Sequence, residues 1–406
     1  MGRIIIFTGK GGVGKTSVAA AHAVASAGEG KKTLLVSADM AHNLGDIFQT
    51  EVGGHKKKVR ENLYLLELDP DLLLREEFPN ANKAIASIMG KSLNLSSGSL
   101  NDDFMFPGFE NLFSLLKIRS IYESGEYDRI IVDCAPTGET LSLLKLPELL
   151  TWYMEKFFPV GKAMVRVFAP VSKLKYKVTL PTNKAMNEIE EMHAQMVSLQ
   201  ELLKNPDVCS VRLVCVPEKM VVEETKRTFM YLNLYDYQVD RVFINRILPD
   251  DTGSSFMNRW RDIQKKYIDE IQSVFTDVPV TRIPWYSKEI CGAEAIEHLA
   301  VEIIKIPAPF DIVIKNEKDS YYVIDGGYCL TIKLPGAETD GIEVSMHDMD
   351  LDIKVNNYHR CIPLPNTLRG ATISDIQLKE NKLQISMKVK AISDKEGEDV
   401  KNPCEF

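Results

Sequence analysis

Short apolar runs recur through most of the chain, with helical spacing between them. Residues 4–8, 33–37, 63–68, 129–133, 211–216, 241–245 and 280–284 are rich in Ile, Val, Leu and Phe and are predicted as strands. Several, such as Ile4-Ile5-Ile6-Phe7 and Ile130-Ile131-Val132, are continuously apolar rather than alternating. That is the pattern of parallel strands covered by helices on both faces. Strand–helix alternation sustained over residues 1–306 predicts a doubly wound, mostly parallel α/β sheet.

Two segments break the rhythm. Residues 71–123 and 146–206 carry little strand signal but many Leu, Met and Phe among Lys and Glu, and are predicted as helical insertions, interrupted at Pro159, Pro170 and Pro181. Nine of the fifteen methionines fall between Met89 and Met230. Methionine adapts to varied shapes, so these helices suit either an ordinary core or a surface that receives apolar clients.

Past Pro307-Ala308-Pro309-Phe310, read as a stiff linker, the period changes to two. Leu330, Ile332 and Leu334, then Leu351, Ile353 and Val355, then Leu383, Ile385, Met387 and Val389 alternate with polar residues. Residues 312–392 are therefore predicted as an antiparallel β-sandwich. A polar tail, 393–406, is expected to stay outside it.

Composition narrows the functional classes. The chain has 406 residues, is 26% charged and has a formal net charge of −8, which argues against a nucleic-acid partner. No run approaches the ~18 apolar residues of a membrane span. The first residues offer no charged leader or apolar signal core, so no export signal is expected. The seven cysteines are widely spaced without a C-x-x-C pair. Reduced thiols in a cytoplasmic protein are the expectation.

The chemistry begins at Gly9-Lys10-Gly11-Gly12-Val13-Gly14-Lys15-Thr16, followed by Ser17, between a strand and an alanine-rich helix. This is a phosphate loop in its required context. Its glycines let backbone N–H groups converge on phosphates at a helix N-terminus. Lys15 reaches the β- and γ-phosphates of ATP, or the β-phosphate of ADP, and Thr16 offers its hydroxyl to Mg²⁺.

Lys10, a second lysine within the loop, resembles the signature of the dimeric ATPases that include nitrogenase iron protein, ParA, MinD and ArsA. In those proteins this lysine crosses a dimer interface to the partner's nucleotide. Ser37-Ala38-Asp39-Met40-Ala41-His42-Asn43-Leu44-Gly45-Asp46 and Asp133-Cys134-Ala135-Pro136-Thr137-Gly138-Glu139-Thr140-Leu141 are similar to the two switch motifs of the ArsA and tail-anchored-protein-targeting branch. The resemblance implies that Asp39 orients the attacking water beside the metal, that Asp133 holds Mg²⁺, and that the chain works as a homodimer. Phe243-Ile244-Asn245-Arg246 resembles the segment whose Asn reads adenine, and Pro284 begins a loop similar to the one under the base. Val216-Pro217-Glu218 and Glu223-Glu224-Thr225 stand where the family has its I-P-E and following helix.

The sequence also departs from the family. Met40 replaces Pro in the first switch and Glu139 replaces His in the second. No Cys lies between Cys215 and Cys291, where the eukaryotic targeting enzymes place a zinc pair, so no zinc is expected. Nor do the cysteines match the metalloid triad of the arsenite pump ATPase. Residues from about 321 to 391, including Tyr328–Gly336 and Ile362-Pro363-Leu364-Pro365, resemble an α-crystallin domain without its C-terminal I-x-I anchor. Such a domain would either stiffen the ATPase or add a client surface. The resemblance thus implies an Mg-ATP-hydrolysing dimeric switch that handles a hydrophobic client such as a membrane-protein helix. The alternatives are an anion-pump ATPase subunit and, more distantly, a ParA-like positioning ATPase.

Overall fold

The computed structural model describes residues 2–39, 44–69, 109–142, 144–145, 183–250, 254–315 and 319–389. The chain forms two compact units, Met1–Asn316 and Glu317–Phe406. In the first, the elements are β1 (Arg3–Thr8), α1 (Lys15–Gly28), β2 (Thr33–Ser37), α2 (Leu44–Phe48), β3 (Lys57–Arg60), β4 (Leu63–Glu67), α3 (Phe109–Glu123) and β5 (Arg129–Asp133). They continue with α4 (Asn183–Leu203), β6 (Cys209–Cys215), α5 (Lys219–Leu234), β7 (Val239–Ile247), α6 (Ser255–Val274), β8 (Val280–Pro284) and α7 (Ala293–Ile304). Among the described residues, eight strands form one sheet in the order β3-β4-β2-β5-β1-β6-β7-β8. All pairings are parallel except β3 with β4. Ile4, Ile5, Phe7, Ile130, Ile131 and Val132 have no exposed surface, as strands covered on both faces require.

All seven predicted strands form, several with longer bounds. One strand was not anticipated. β3 is Lys-Lys-Val-Arg, too polar to signal itself, and exists because β4 offers it an open edge. Its lysines suit an edge strand, where they discourage pairing with other chains. Of the predicted helical insertions, α3 and α4 lie within the described residues; residues 71–108 and 146–182 lie outside them, as does the 393–406 tail. No described helix is long and apolar enough to cross a membrane.

The Pro307–Phe310 stretch corrects the reading of a linker. Arg212 Nη1 donates to the Pro309 carbonyl at 2.6 Å, Arg241 Nη2 to that of Pro307 at 3.2 Å, and Arg3 Nε to that of Phe310 at 2.5 Å. Phe310 is 2% exposed beneath the Arg129 guanidinium, 4.0 Å from its ring centre. Arg212 and Asp240, both fully buried, pair at 3.1 Å, and Arg3 joins the same carboxylate at 2.8 Å. The stretch is part of the first unit's packed underside.

His22 of α1 lies in that core, between Phe7 (4.7 Å between ring centres) and Phe243 (5.1 Å). Its Nδ1 bonds the Val18 carbonyl at 2.7 Å, while Nε2 has no partner among the described residues. Burial, then the nearby Arg212 charge, holds its pKa well below the ordinary value. The folded protein therefore keeps His22 neutral while the unfolded chain takes up a proton near pH 6.5. Stability from this group is present above that pH and lost as pH falls below it, by up to about 1.4 kcal/mol per pH unit. Between pH 7 and 5.5 the wild type should lose about 1 kcal/mol more stability than His22→Leu in denaturant titrations. Parallel losses would show that His22 does not titrate on unfolding.

The second unit is antiparallel throughout. Its strands are β9 (Ser320–Ile324), β10 (Gly327–Lys333), β11 (Ile342–His347), β12 (Asp350–Val355), β13 (Tyr358–Pro363), β14 (Ala371–Lys379) and β15 (Lys382–Val389). They build one sheet of order β14-β15-β10-β9 and another of order β11-β12-β13. The period-two positions point inward: Leu330, Ile332, Leu334, Leu351, Ile353, Leu383, Ile385 and Met387 are fully buried.

Candidate functional site

β1 lies at the centre of the large sheet, flanked by β5 on one side and β6 on the other. From β1 the chain runs to β2 on one side, whereas from the adjacent β5 it crosses β1 to β6 on the other, and open α/β sheets bind ligands in the crevice such a reversal makes at the carboxyl ends of the strands. The phosphate loop follows β1, Asp39 follows β2, Asp133 ends β5, Asn245 lies near the end of β7 and Pro284 ends β8. One sheet edge thus collects residues from the whole length of the unit.

The loop's shape comes from its glycines. A Cβ on Gly9 would lie 2.0 Å from the Val214 carbonyl oxygen of β6, so only glycine lets the loop leave β1 so close to its neighbour. Gly12 (φ 79°) and Gly14 (φ 92°) adopt left-handed backbone. Gly14 is the N-cap of α1, and no side chain caps that end, which leaves its N–H groups facing the loop. Lys15, 7% exposed, sends its Nζ back across the loop to 3.5 Å from the Lys10 carbonyl. This arrangement can take an anionic phosphate chain.

Asp133 is 1% exposed, and neither of its carboxylate oxygens has a hydrogen-bond partner among the described residues. Burial pushes its pKa up to about 7; Thr16 and Lys15 pull the other way, and Asp39 adds to the rise. A buried carboxylate without partners is costly and calls for a cation. Its neighbours, a Thr hydroxyl and a second carboxylate, are hard oxygen donors of the kind Mg²⁺ takes. The Ala38 N–H donates to the Asp133 carbonyl at 2.9 Å, tying the ends of β2 and β5 together. Asp39 itself is held against Ser37, its N–H 3.3 Å from the hydroxyl. Met40, His42 and the rest of that switch up to Asn43 lie outside the described residues. Glu139 is exposed.

Asn245 does more than sequence reasoning suggested. Its Nδ2 donates to the Val13 carbonyl at 2.9 Å and its Oδ1 accepts from the Arg246 N–H at 2.9 Å, so it braces the phosphate loop from below. A carboxamide has two donors and two acceptor sites, which leaves capacity for a base. Beside it a cavity of about 480 Å³ is lined by Gly14, Ser17, Asn245, Arg246, Pro284 and Trp285, among others. That is an ordinary volume for a cofactor site.

Two residues with no role assigned from the sequence hold the loop and the first switch. Glu224 of α5 pairs through Oε2 with Lys10 Nζ at 3.2 Å and accepts the Thr137 hydroxyl at Oε1. Glu67, at the end of β4, accepts the N–H groups of Leu44 and Gly45 at 3.1 and 3.2 Å, fixing the start of α2 within the first switch. The signal for Glu67 was available: a carboxylate ending an otherwise apolar strand.

A family model described as anion-transporting ATPase matches residues 2–305. The chain belongs to the anion-transporting ATPase family. A second model, an HSP20-like domain found in ArsA, matches residues 325–387. Among relatives of this ATPase family, a protein of Prosthecochloris vibrioformis named as an arsenical pump-driving ATPase is 36% identical over 94% of the chain and 95% of its own length. One of Aquifex aeolicus, named in the same way, is 32% identical over 95% of the chain and 100% of its own. The ATPase get3 of Schizosaccharomyces pombe is 30% identical over 74% of the chain and 91% of its own.

Proposed function

We propose that the protein hydrolyses Mg-ATP as a homodimeric switch whose closure handles a hydrophobic client such as a membrane-protein helix. The observation that carries the nucleotide reading is the partnerless buried carboxylate of Asp133 beside Lys15 and Thr16 at the phosphate loop. Mg²⁺ held by Thr16 and Asp133, with Asp39 beside it, would supply positive charge to the phosphate oxygens. Lys15 binds the β- and γ-phosphates of its own subunit's nucleotide, and Lys10 contributes its charge to the partner's. Asp39 orients water for in-line attack on the γ-phosphorus. The bond to the ADP oxygen breaks as the bond to water forms, and both water protons leave with the phosphate as H2PO4⁻. Asn245 and Pro284 line the space for adenine. The methionine-rich stretch between Met89 and Met230 supports an apolar client.

A second reading, an anion-pump ATPase subunit, is favoured by the relatives that span both units, which are named as arsenical pump-driving ATPases. Weighing against it, Cys134, Cys209 and Cys215 are buried and so closed to a metalloid in solution. Co-expression of the full chain with a single-span membrane protein, followed by purification with and without ATP, separates the two. Nucleotide-dependent co-purification is expected. Hydrolysis stimulated by arsenite, with no capture of the span, would favour the pump.

A further inference from the structure

Lys10 does not project freely from the loop. Its ammonium is paired within its own subunit to Glu224, one turn into α5. The adjacent carboxylate, Glu223, is turned away to Lys226 at 2.7 Å, which also binds Glu270 of α6 at 2.6 Å. Of the two neighbours, only Glu224 faces the phosphate loop. An isolated half-exposed ion pair is usually incidental. Here the carboxylate's second oxygen is also taken, by the hydroxyl of Thr137, which is 3% exposed and four residues past Asp133. One side chain therefore joins the loop that carries Lys10 to the segment that carries Asp133. That segment is in turn tied to β1: the Thr140 hydroxyl accepts from Thr8 at 3.0 Å and donates to the Ala135 carbonyl at 2.6 Å.

We propose that Glu224 is a latch that holds Lys10 in its own subunit and opens when the 133–137 segment engages nucleotide, so that the lysine becomes available to a partner subunit. This rests on the reading that Lys10 acts across a dimer. In the resting subunit, Glu224 is a positioning residue: its carboxylate satisfies the ammonium that would otherwise be free to cross. Lys10 must leave Glu224 before it can reach a partner's phosphates, so the pair's strength is subtracted from dimer closure. The Thr137 hydroxyl holds the carboxylate turned toward Lys10, so displacing Thr137 lets the carboxylate swing away and loosens the grip on Lys10, which couples the occupied metal–phosphate site to release of the lysine. Because the pair is about one-third exposed on both sides, the latch is weak and salt-sensitive, as a reversible switch requires. Exposed pairs shift an equilibrium by about 1.4- to fivefold each, and a dimer contains two of them.

The test uses the full chain, with ATP turnover per subunit measured against protein concentration for the wild type, Glu224→Gln, Lys10→Ala and the double variant. Glutamine keeps the size and an acceptor for Thr137 but removes the charge. In Glu224→Gln the concentration at half-maximal turnover should fall by about two- to thirtyfold with the plateau within twofold of the wild type. The difference from wild type should shrink between 0.05 and 0.5 M salt, a response that a merely structural role would not give. The double variant should match Lys10→Ala. An unmoved midpoint in Glu224→Gln, or a lower plateau with the same midpoint, overturns the latch. If Lys10→Ala is inactive and Glu224→Gln superposes on the wild type, the latch fails while the dimer reading stands; if Lys10→Ala turns over normally, the dimer reading itself fails. Thr137→Val, which removes only the hydroxyl, should move the midpoint in the same direction as Glu224→Gln, and an opposite shift also overturns the proposal.

Discussion

Lys10→Ala should bind ATP nearly as tightly as the wild type and lose about 10³-fold or more in turnover. Both halves of that expectation come from where the side chain sits. Within its own subunit the ammonium is paired with Glu224, away from the loop's own phosphate site. Removing it leaves the cis phosphate site intact: the Lys15 contact is to the Lys10 backbone carbonyl, which alanine retains. The lost ion pair is exposed enough to be worth under about 1 kcal/mol of fold stability. What disappears is a cation delivered to charge that develops only as the γ-phosphoryl group transfers. Cations supplied in that way are worth about 10³–10⁵ in rate because they act in the transition state rather than in ground-state binding. Nucleotide titration by calorimetry, together with phosphate release, checks the split. Normal release would mean that each subunit hydrolyses alone, and a parallel fall in affinity would place Lys10 in the cis site.

What the sequence disclosed depended on whether the determining interaction was local. The central strands were legible because parallel strands with both faces covered must be continuously apolar, and Ile4-Ile5-Ile6-Phe7 cannot be written another way. The second unit's strands were legible for the complementary reason, since Leu383, Ile385 and Met387 alternate with polar residues along one strand. β3 was not, because a polar tetrapeptide becomes a strand only through the edge offered to it. The Pro307–Phe310 stretch misled for a similar reason. Its two prolines suggest a spacer, while the guanidiniums that pin it come from β1, β6 and β7 and cannot be assigned to it from spacing. At the site, the glycine-rich motif and the family resemblance pointed to the phosphate loop, Asp39 and Asp133, which lie after β1, after β2 and at the end of β5. Neither could show that Asn245 braces Val13 or that Glu224 holds Lys10, because those contacts join segments 232 and 214 residues apart.

Gly9→Ala should all but abolish nucleotide binding, whereas Gly11→Ala should leave the fold unchanged. Both are single methyl additions in the same loop, and the structure separates them by their surroundings. At Gly9 the new carbon would sit 2.0 Å from the backbone carbonyl oxygen of Val214 and 3.1 Å from its carbon. Backbone in a central parallel strand cannot retreat, because Val214 is fixed by its pairing with β7. The loop must move instead, at a cost of about 1–3 kcal/mol or more for overpacking a rigid site. Movement there also misplaces the N–H groups that converge on phosphate, so affinity should fall by at least about 100-fold, as misaligned binding groups forfeit their gain. At Gly11 a Cβ meets nothing within 4 Å, and the residue is not among those with positive φ. Thermal unfolding of Gly11→Ala should therefore follow the wild type, which makes it the control for loop substitution as such. Its nucleotide affinity then carries separate information, since any loss must come from contact between the methyl group and the ligand. Equal nucleotide affinity in Gly9→Ala and wild type would mean that the loop and β6 are not in the close contact described, and the geometry assigned to the phosphate site would fall with it.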